Sequence, residues 1–373
     1  MGLSLKGGDD AKFKMQLSGL LQMDWGMVSG NRKLTPPLKE STGTQIRRAR
    51  LSVLGTVYDR IDYRFETDLA NGQSKIRDAY IRINQLPWVG SLSIGHFKEP
   101  FSLTDMSGTR YVTFLERPMS VDAFLVSRNM GLMINNTALN KRLTWAIGGF
   151  RETDDQGRNF SADSAYNLTM RVTGLPWYEE QGRKLVHLGL SYSHRFRHDD
   201  RVRFTMRPEV NLTPMFVNTG DITTNGIDLF NPELALVYGP FSFQTEYTKA
   251  FVGQTTGKSL DFSGYYLEAA YVLTGEHREY RMNTGAFNGI TPKRNFDGQG
   301  GWGAWELALR YSSLNLDDST VRGGKLYGLN TGVSWYLNPH VRLLANYGVT
   351  DGRTGNKTFG VMNTFQMRAQ FSF

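Results

Sequence analysis

The 373-residue chain contains no cysteine, so it carries neither a disulfide framework nor a thiolate site. It also has no run near the roughly 18 apolar residues that a spanning helix needs. With 40% hydrophobic residues and a mean hydropathy of −0.40, no bundle of membrane helices is hidden here. GxSxG, P-loop and HExxH motifs are absent, and no Ser/His/Asp set can be assembled by spacing, which leaves enzyme chemistry without a foothold. His194 and His198 stand four apart beside Asp199, but at a strand end and loop rather than on a helix. They read as a solvated loop, not a metal site, and no cofactor is expected. The first thirty residues lack the apolar stretch of a signal peptide, which reads as a mature chain with an added initiator methionine.

What the sequence does have is period-two alternation from end to end, with no helical periodicity of convincing length. In the last nine residues Phe365, Met367, Ala369, Phe371 and Phe373 point one way, while Gln366, Arg368, Gln370 and Ser372 point the other. On its own such a strand could be half-buried in a soluble domain; it also fits a wall between lipid and a water-filled lumen. The terminal Phe resembles the C-terminal signal of bacterial outer-membrane proteins. Phe241, Phe243, Tyr247 and Phe251 likewise oppose Gln244, Glu246 and Thr248, and Trp305, Leu307, Leu309 and Tyr311 oppose Glu306 and Arg310. Candidate strands run from 13–28 to 358–373 and number about sixteen, an even count as bacterial barrels require. Short turns such as Gly239-Pro240 and Asn338-Pro339 alternate with longer links. The expectation is an all-β protein, one domain over 1–373: a sixteen-stranded antiparallel transmembrane β-barrel with inward-folded loops and both termini at the periplasmic face.

Two links are unusual. Residues 99–128 carry Phe101, Leu103, Met106, Phe114, Leu115 and Phe124, too much apolar surface for a solvated loop. They predict a segment folded into the lumen as a constriction, with Arg117 near the Arg48 wall. Within 196–226, Arg201, Arg203 and Arg207 alternate with Val202, Phe204 and Met206. This predicts a second inward loop, its apolar side on the wall and its arginines in the water.

The formal net charge is +8 and Arg outnumbers Lys. The basic residues are spread along strands rather than gathered with aromatics on one recognition element, which argues against nucleic acid. Strand parity places Arg48 and Arg50 in the lumen and Arg47 on the lipid row unless a bulge turns it inward. Guanidinium forks match two oxygens of a phosphate-like anion, and rows of them offer successive exchange sites. Lumen arginines can equally balance Asp62, Glu66 and Asp68 on the neighbouring strand as a porin's transverse field. The residues alone leave both readings open.

Ile46-Arg47-Arg48-Ala49-Arg50-Leu51, Gly95-His96-Phe97-Lys98-Glu99-Pro100-Phe101 and Thr113-Phe114-Leu115-Glu116-Arg117 resemble the phosphate-selective porin O and P family. Val186–Leu190, Leu273–Glu276 and Gly303–Leu307 continue the resemblance in the family's order over nearly the whole chain. The resemblance implies a homotrimer of sixteen-stranded barrels in the outer membrane, with anions moving along an arginine ladder to a central constriction. It implies constriction roles for Arg47, Arg48, Asp78, Arg117 and Arg281, and a ladder of Arg201, Arg203 and Arg207. There are departures: Asp105 stands where phosphate-specific members carry a lysine, Gly108 and Thr109 where they carry serines, and Arg50 and Lys98 where they carry tyrosines, so the expected anion-binding constriction loses one cation and gains Arg50 and Lys98. The expected function is passive passage of small oxyanions, phosphate, pyrophosphate or polyphosphate. The alternatives are a general-diffusion porin with mild anion preference and a plugged barrel with a surface binding or structural role.

Overall fold

The alternation in the sequence becomes a wall with an inverted burial pattern. On the strand Phe241–Gln254, Phe241, Tyr247 and Phe251 are exposed, whereas Gln244, Glu246 and Thr248 between them are buried. The computed structural model describes residues 3–7, 12–30, 40–160, 165–354, 357–358 and 360–373. Its first eight wall strands are β1 (Phe13–Gly30), β2 (Ser41–Val57), β3 (Ile61–Asp68), β4 (Lys75–Leu86), β5 (Gly90–Lys98), β6 (Arg128–Ala138), β7 (Leu143–Arg151) and β8 (Tyr166–Glu179). The other eight are β9 (Lys184–Val202), β10 (Ile222–Tyr238), β11 (Phe241–Gln254), β12 (Leu260–Val272), β13 (Ala304–Asp318), β14 (Val321–Tyr336), β15 (Val341–Thr354) and β16 (Met362–Ser372). Each pairs antiparallel with its sequence neighbours. β16 pairs with β1 from Ser372 opposite Leu20 to Met362 opposite Gly30, which closes a sixteen-stranded barrel. Leu3–Gly7 and Lys357–Thr358 are short additions to β1 and β15.

β1 begins and β16 ends at one rim, the terminal rim; the opposite one is the far rim. Closure leaves no sheet edge, so the wall satisfies its own backbone and can present apolar side chains to lipid. Tyr58, Trp88, Tyr238 and Trp302 are exposed near the terminal rim, where amphipathic rings suit a membrane interface. The expected alternation of short and long links fails twice. The far-rim link between β13 and β14 is a tight hairpin, while residues 273–303 at the terminal rim form a long link with its own ribbon, Tyr280–Arg281 against Ala286–Phe287.

Among the described residues, three links fill the interior. Residues 99–127 contain two short helical turns, Leu103–Ser107 and Met119–Asp122, and bury Leu103, Phe114, Leu115, Met119 and Phe124 almost completely. The wall is shaped to receive them: a Cβ on Gly264 of β12 would lie 2.8 Å from the Ser120 side chain. Residues 203–221 fold back as well, joining Phe204, Met206 and Phe216 to Phe124, Phe262 and Leu316 in one apolar cluster toward the far rim. The 273–303 link presses Gly285 against the wall, where its φ of +58° and a Cβ 2.4 Å from Thr173 Oγ1 exclude a side chain.

The 196–226 region differs from the sequence reading in one respect. β9 continues to Val202 and stays paired with β10 through Arg201 opposite Thr223 and Val202 opposite Ile222, beyond an irregularity between Phe196 and Asp200. Arg201 therefore belongs to a wall hairpin, because pairing there satisfies the backbone that a free loop would leave open. Only residues 203–221 turn inward.

Gly285→Val should strain this contact and destabilise the barrel by about 1–3 kcal/mol, the range for overpacking. Urea unfolding of the refolded protein in lipid would read it; unchanged stability would mean that the link does not seat against Thr173.

Candidate functional site

Two β-bulges shape the inner wall of β1–β4. Gln22 pairs with Arg48 and Met23 with Ile46, so Arg47 is the extra residue on β2. Glu66 pairs with Asp78 and Thr67 with Ile76, so Arg77 is the extra residue on β4. Each bulge turns an arginine that strict alternation would send to lipid toward carboxylates instead. Arg47 Nε and Nη2 donate to Glu116 at 2.8 and 2.9 Å, and Arg77 Nε lies 3.7 Å from Asp68.

Beside this wall lies a cavity of about 370 Å³ whose basic lining is Arg50, Arg64, Arg82, Lys98, Arg110, Arg128 and Arg281. Much of that charge is already spoken for. Arg128 Nε donates to Asp78 Oδ1 at 2.7 Å, and Asp78 also faces Arg64 Nε at 3.2 Å. Arg64 reaches Glu66 at 2.6 Å; Glu66 faces Arg50 at 3.6 Å; Arg50 Nε donates to Asp68 at 2.9 Å. Arg77 then links Asp68 to Asp155, 3.5 Å away. The result is one alternating chain of charges along β2, β3, β4 and β6. Lys98 is held by Asp105, 3.1 Å from its carboxylate and bonded to its carbonyl.

Arg82, Arg110 and Arg281 differ. Among the described residues none of them has a carboxylate partner. Arg82 Nε donates to Ser93 Oγ at 2.9 Å and its guanidinium lies 5.2 Å from the Tyr80 ring. Arg110 and Arg281 lie 5.9 and 5.8 Å from the same Tyr111 ring. Arg281 Nη2 donates to Met106 O at 2.9 Å, while its buried Nε has no partner. Burial, with Arg64 and Arg110 nearby, pulls the Arg281 pKa down from its ordinary value. The guanidinium stays charged even so, and like charges held together in a partly dry cavity present a ready counter-ion site.

Of the residues singled out from the sequence, Arg50, Asp78, Lys98 and Arg281 meet at this cavity. Arg47, Arg48 and Arg117 do not line it. Arg48 is buried and donates to Gln22 Oε1 at 2.7 Å; Arg117 is bound to Asp105 at 2.6 Å and to Asp122 at 3.2 Å. Asp105 is buried behind Lys98 rather than at the surface of the cavity. Burial pushes the Asp105 carboxyl up, but Lys98 and Arg117 outweigh it and hold it below the usual range. Glu116 follows the same logic with Arg47 and Arg368, whereas burial wins at Asp122 and raises it. The three proposed ladder arginines are not gathered into a row. Arg203 is exposed and pairs with Asp221 at 2.8 Å, Arg207 bonds to the Asn211 carbonyl, and Arg201 is exposed on the β9 extension. Sequence reasoning missed Arg64, Arg82, Arg110 and Arg128. Parity would have found two of them: Arg64 shares its side with Asp62 and Glu66, and Arg82 with Asp78.

A closed barrel with an apolar outer face and a charged interior narrowed by inward links defines a porin of the bacterial outer membrane. The chain belongs to the phosphate-selective porin O and P family, whose profile matches residues 15–373. It is 25% identical to Porin O of Pseudomonas aeruginosa, across 98% of this chain and 89% of that one. A Caulobacter vibrioides protein is 28% identical, across 92% of this chain and 69% of its own length. Among solved folds, an anion-selective porin from Comamonas acidovorans superposes with a TM-score of 0.61 at 12% identity, covering 97% of this chain and all of its own. The trimer form of OmpT from Vibrio cholerae superposes with a TM-score of 0.60 at 13% identity, covering 97% of this chain and 99% of its own.

Asp105→Lys, which would restore the family's basic residue, should not create an anion site here. It should place a third cation beside Lys98 and Arg117 and destabilise the fold by about 3–5 kcal/mol, the cost of breaking a buried pair. Urea unfolding would measure this; an unaltered midpoint would show that Asp105 is not the buried counter-ion.

Proposed function

We propose that the protein is a passive channel for small oxyanions, phosphate first and pyrophosphate or polyphosphate next, working as a homotrimer embedded in outer-membrane lipid. The terminal rim faces the periplasm in this reading, and no substrate is turned over. One observation carries it: Arg82, Arg110 and Arg281 line a single cavity and have no carboxylate partner among the described residues. A divalent oxyanion entering a narrow pore loses water, a cost that only several convergent charged donors offset. Guanidinia already bound to carboxylates supply little of that, and free ones supply most. The name of the family supports phosphate as the leading solute, the Comamonas protein supports anion preference, and the OmpT trimer form supports three-fold assembly.

The cavity has continuations on both sides. It shares Arg82, Met106 and Met133 with a cavity of about 650 Å³ at the terminal rim, lined by Asn84, Asn135, Asn136 and Asn283. It shares Arg128 with a smaller cavity of about 100 Å³ toward the far rim. The solute path in this reading passes from Arg128 through the free guanidinia to a vestibule where four Asn side chains stand beside Asp62, Lys141 and Arg171.

Single-channel recording in planar bilayers tests the reading. Chloride current should be small and blocked by inorganic phosphate, and Arg281→Ala or Arg110→Ala should each weaken the block by about 1.5–3 kcal/mol, the range for hydrogen bonds to charged groups. Arg117→Ala should affect folding more than block. A large current indifferent to phosphate would favour the general-diffusion porin, and no current would favour the plugged barrel.

A further inference from the structure

Arg128 holds a particular place in the alternating chain of charges: it is the end. Every other arginine in that chain touches carboxylates on both sides, whereas Arg128 has one short contact, to Asp78 at 2.7 Å, and a second at 4.0 Å, to Glu66. Asp78 in turn keeps Arg64 at 3.2 Å when Arg128 leaves. Releasing Arg128 therefore breaks one strong ion pair without stranding a bare carboxylate, which would be the costly event. Its position matters equally, because it lines both the far-rim cavity and the central one. The far-rim cavity also holds Arg77 and Arg195 beside Glu152, Asp154 and Asp155, and among the described residues Arg128 is the one lining residue it shares with the central cavity.

We propose that Arg128 is an exchange station: a permeating oxyanion takes the place of Asp78 on the Arg128 fork, and Asp78 reclaims the fork as the anion moves on to Arg82, Arg110 and Arg281. The station rests on the oxyanion-channel reading above and adds a mechanism of release to it. A guanidinium alone in a dry constriction binds a divalent anion too firmly for transport, since conduction needs sites weak enough to leave. Asp78 is a tethered competitor at high local concentration, and competition of this kind lowers apparent affinity without any loss of positive charge. The planar fork matters, because Asp78 holds Arg128 through Nε alone, while an oxyanion can take that donor together with a neighbouring N–H of the same guanidinium.

The test is a double-mutant cycle read as phosphate block of chloride current in planar bilayers, with each variant first shown to fold by its far-UV β signal and heat-modifiable migration. Asp78→Asn should shift block to about tenfold lower phosphate and lengthen each blocked interval, while Arg128→Ala should weaken block about tenfold. Arg128→Lys, which keeps the charge and loses the fork, should fall between wild type and Arg128→Ala. In the Arg128→Ala background, Asp78→Asn should have no further effect. An equal shift from Asp78→Asn with and without Arg128 would overturn the station and make Asp78 a plain field charge. Unchanged block in Arg128→Ala would overturn it as well. The channel reading is judged separately by the wild-type reversal potential in a salt gradient, where loss of anion preference would remove that reading whatever the cycle gave.

Discussion

A polypeptide segment folded into the middle of a barrel has no strand beside it to take its carbonyls, and each buried one left open costs free energy. Everything inside this porin depends on how that debt is met. The inner wall answers with arginine, which brings several donors on one side chain. Arg342 donates to the carbonyls of Val112 and Thr113, each at 2.7 Å; Arg310 donates to that of Glu116 at 2.9 Å; Arg368 donates to that of Leu115. Lys98 and Arg281 hold the carbonyls of Asp105 and Met106. On the 273–303 link, Arg171 does the same for Thr284 and Gly285, at 3.0 and 2.7 Å. Many of the arginines that make the chain basic are therefore structural, and their charge is cancelled nearby by Asp24, Glu209, Glu233, Glu268 and Glu306.

This explains why charge counting from sequence mislocates the site. A row of arginines reads the same whether its partners are solute oxygens, carboxylates or loop carbonyls. Arg48, by parity, and Arg117, by its place on the inward link, carried the strongest arguments beside the motifs, yet both are occupied by protein groups. Arg110 carried no signal at all, since a loop residue's direction depends on how the loop seats. The wall was far more legible. Alternation of Tyr166, Leu168, Met170 and Val172 against Asn167, Thr169 and Arg171 is a local property that survives any choice of partner strand, and it predicts β8 directly. Bulges escape that reading because one extra residue leaves no mark in composition; Arg47 could only be stated conditionally, and Arg77 went unnoticed.

The interior divides into a dry part and a wet part. Phe124, Phe204, Phe216 and Phe262 fill the space against β10–β14 toward the far rim. The charged cavity and its neighbours lie along β2–β7. The open space thus lies beside the charge chain, and packed hydrocarbon fills the interior against β10–β14.

Glu116 has one more role when its neighbours are traced along the sequence. It meets Arg47 of β2 and Arg368 of β16, and Arg368 in turn grips Asp24 of β1 at 2.6 and 2.8 Å. The middle of the 99–127 link is therefore a clasp over the seam where the first and last strands meet. Until β16 arrives, Asp24 lacks its guanidinium and Glu116 lacks one of its two, so the clasp cannot lock while the sheet is open. Until the link is inside, Arg47 and Arg368 face each other without the carboxylate between them. Seam and inward link are consequently coupled, since Arg368 joins Asp24 and Glu116 across hundreds of positions, the kind of contact slowest to form.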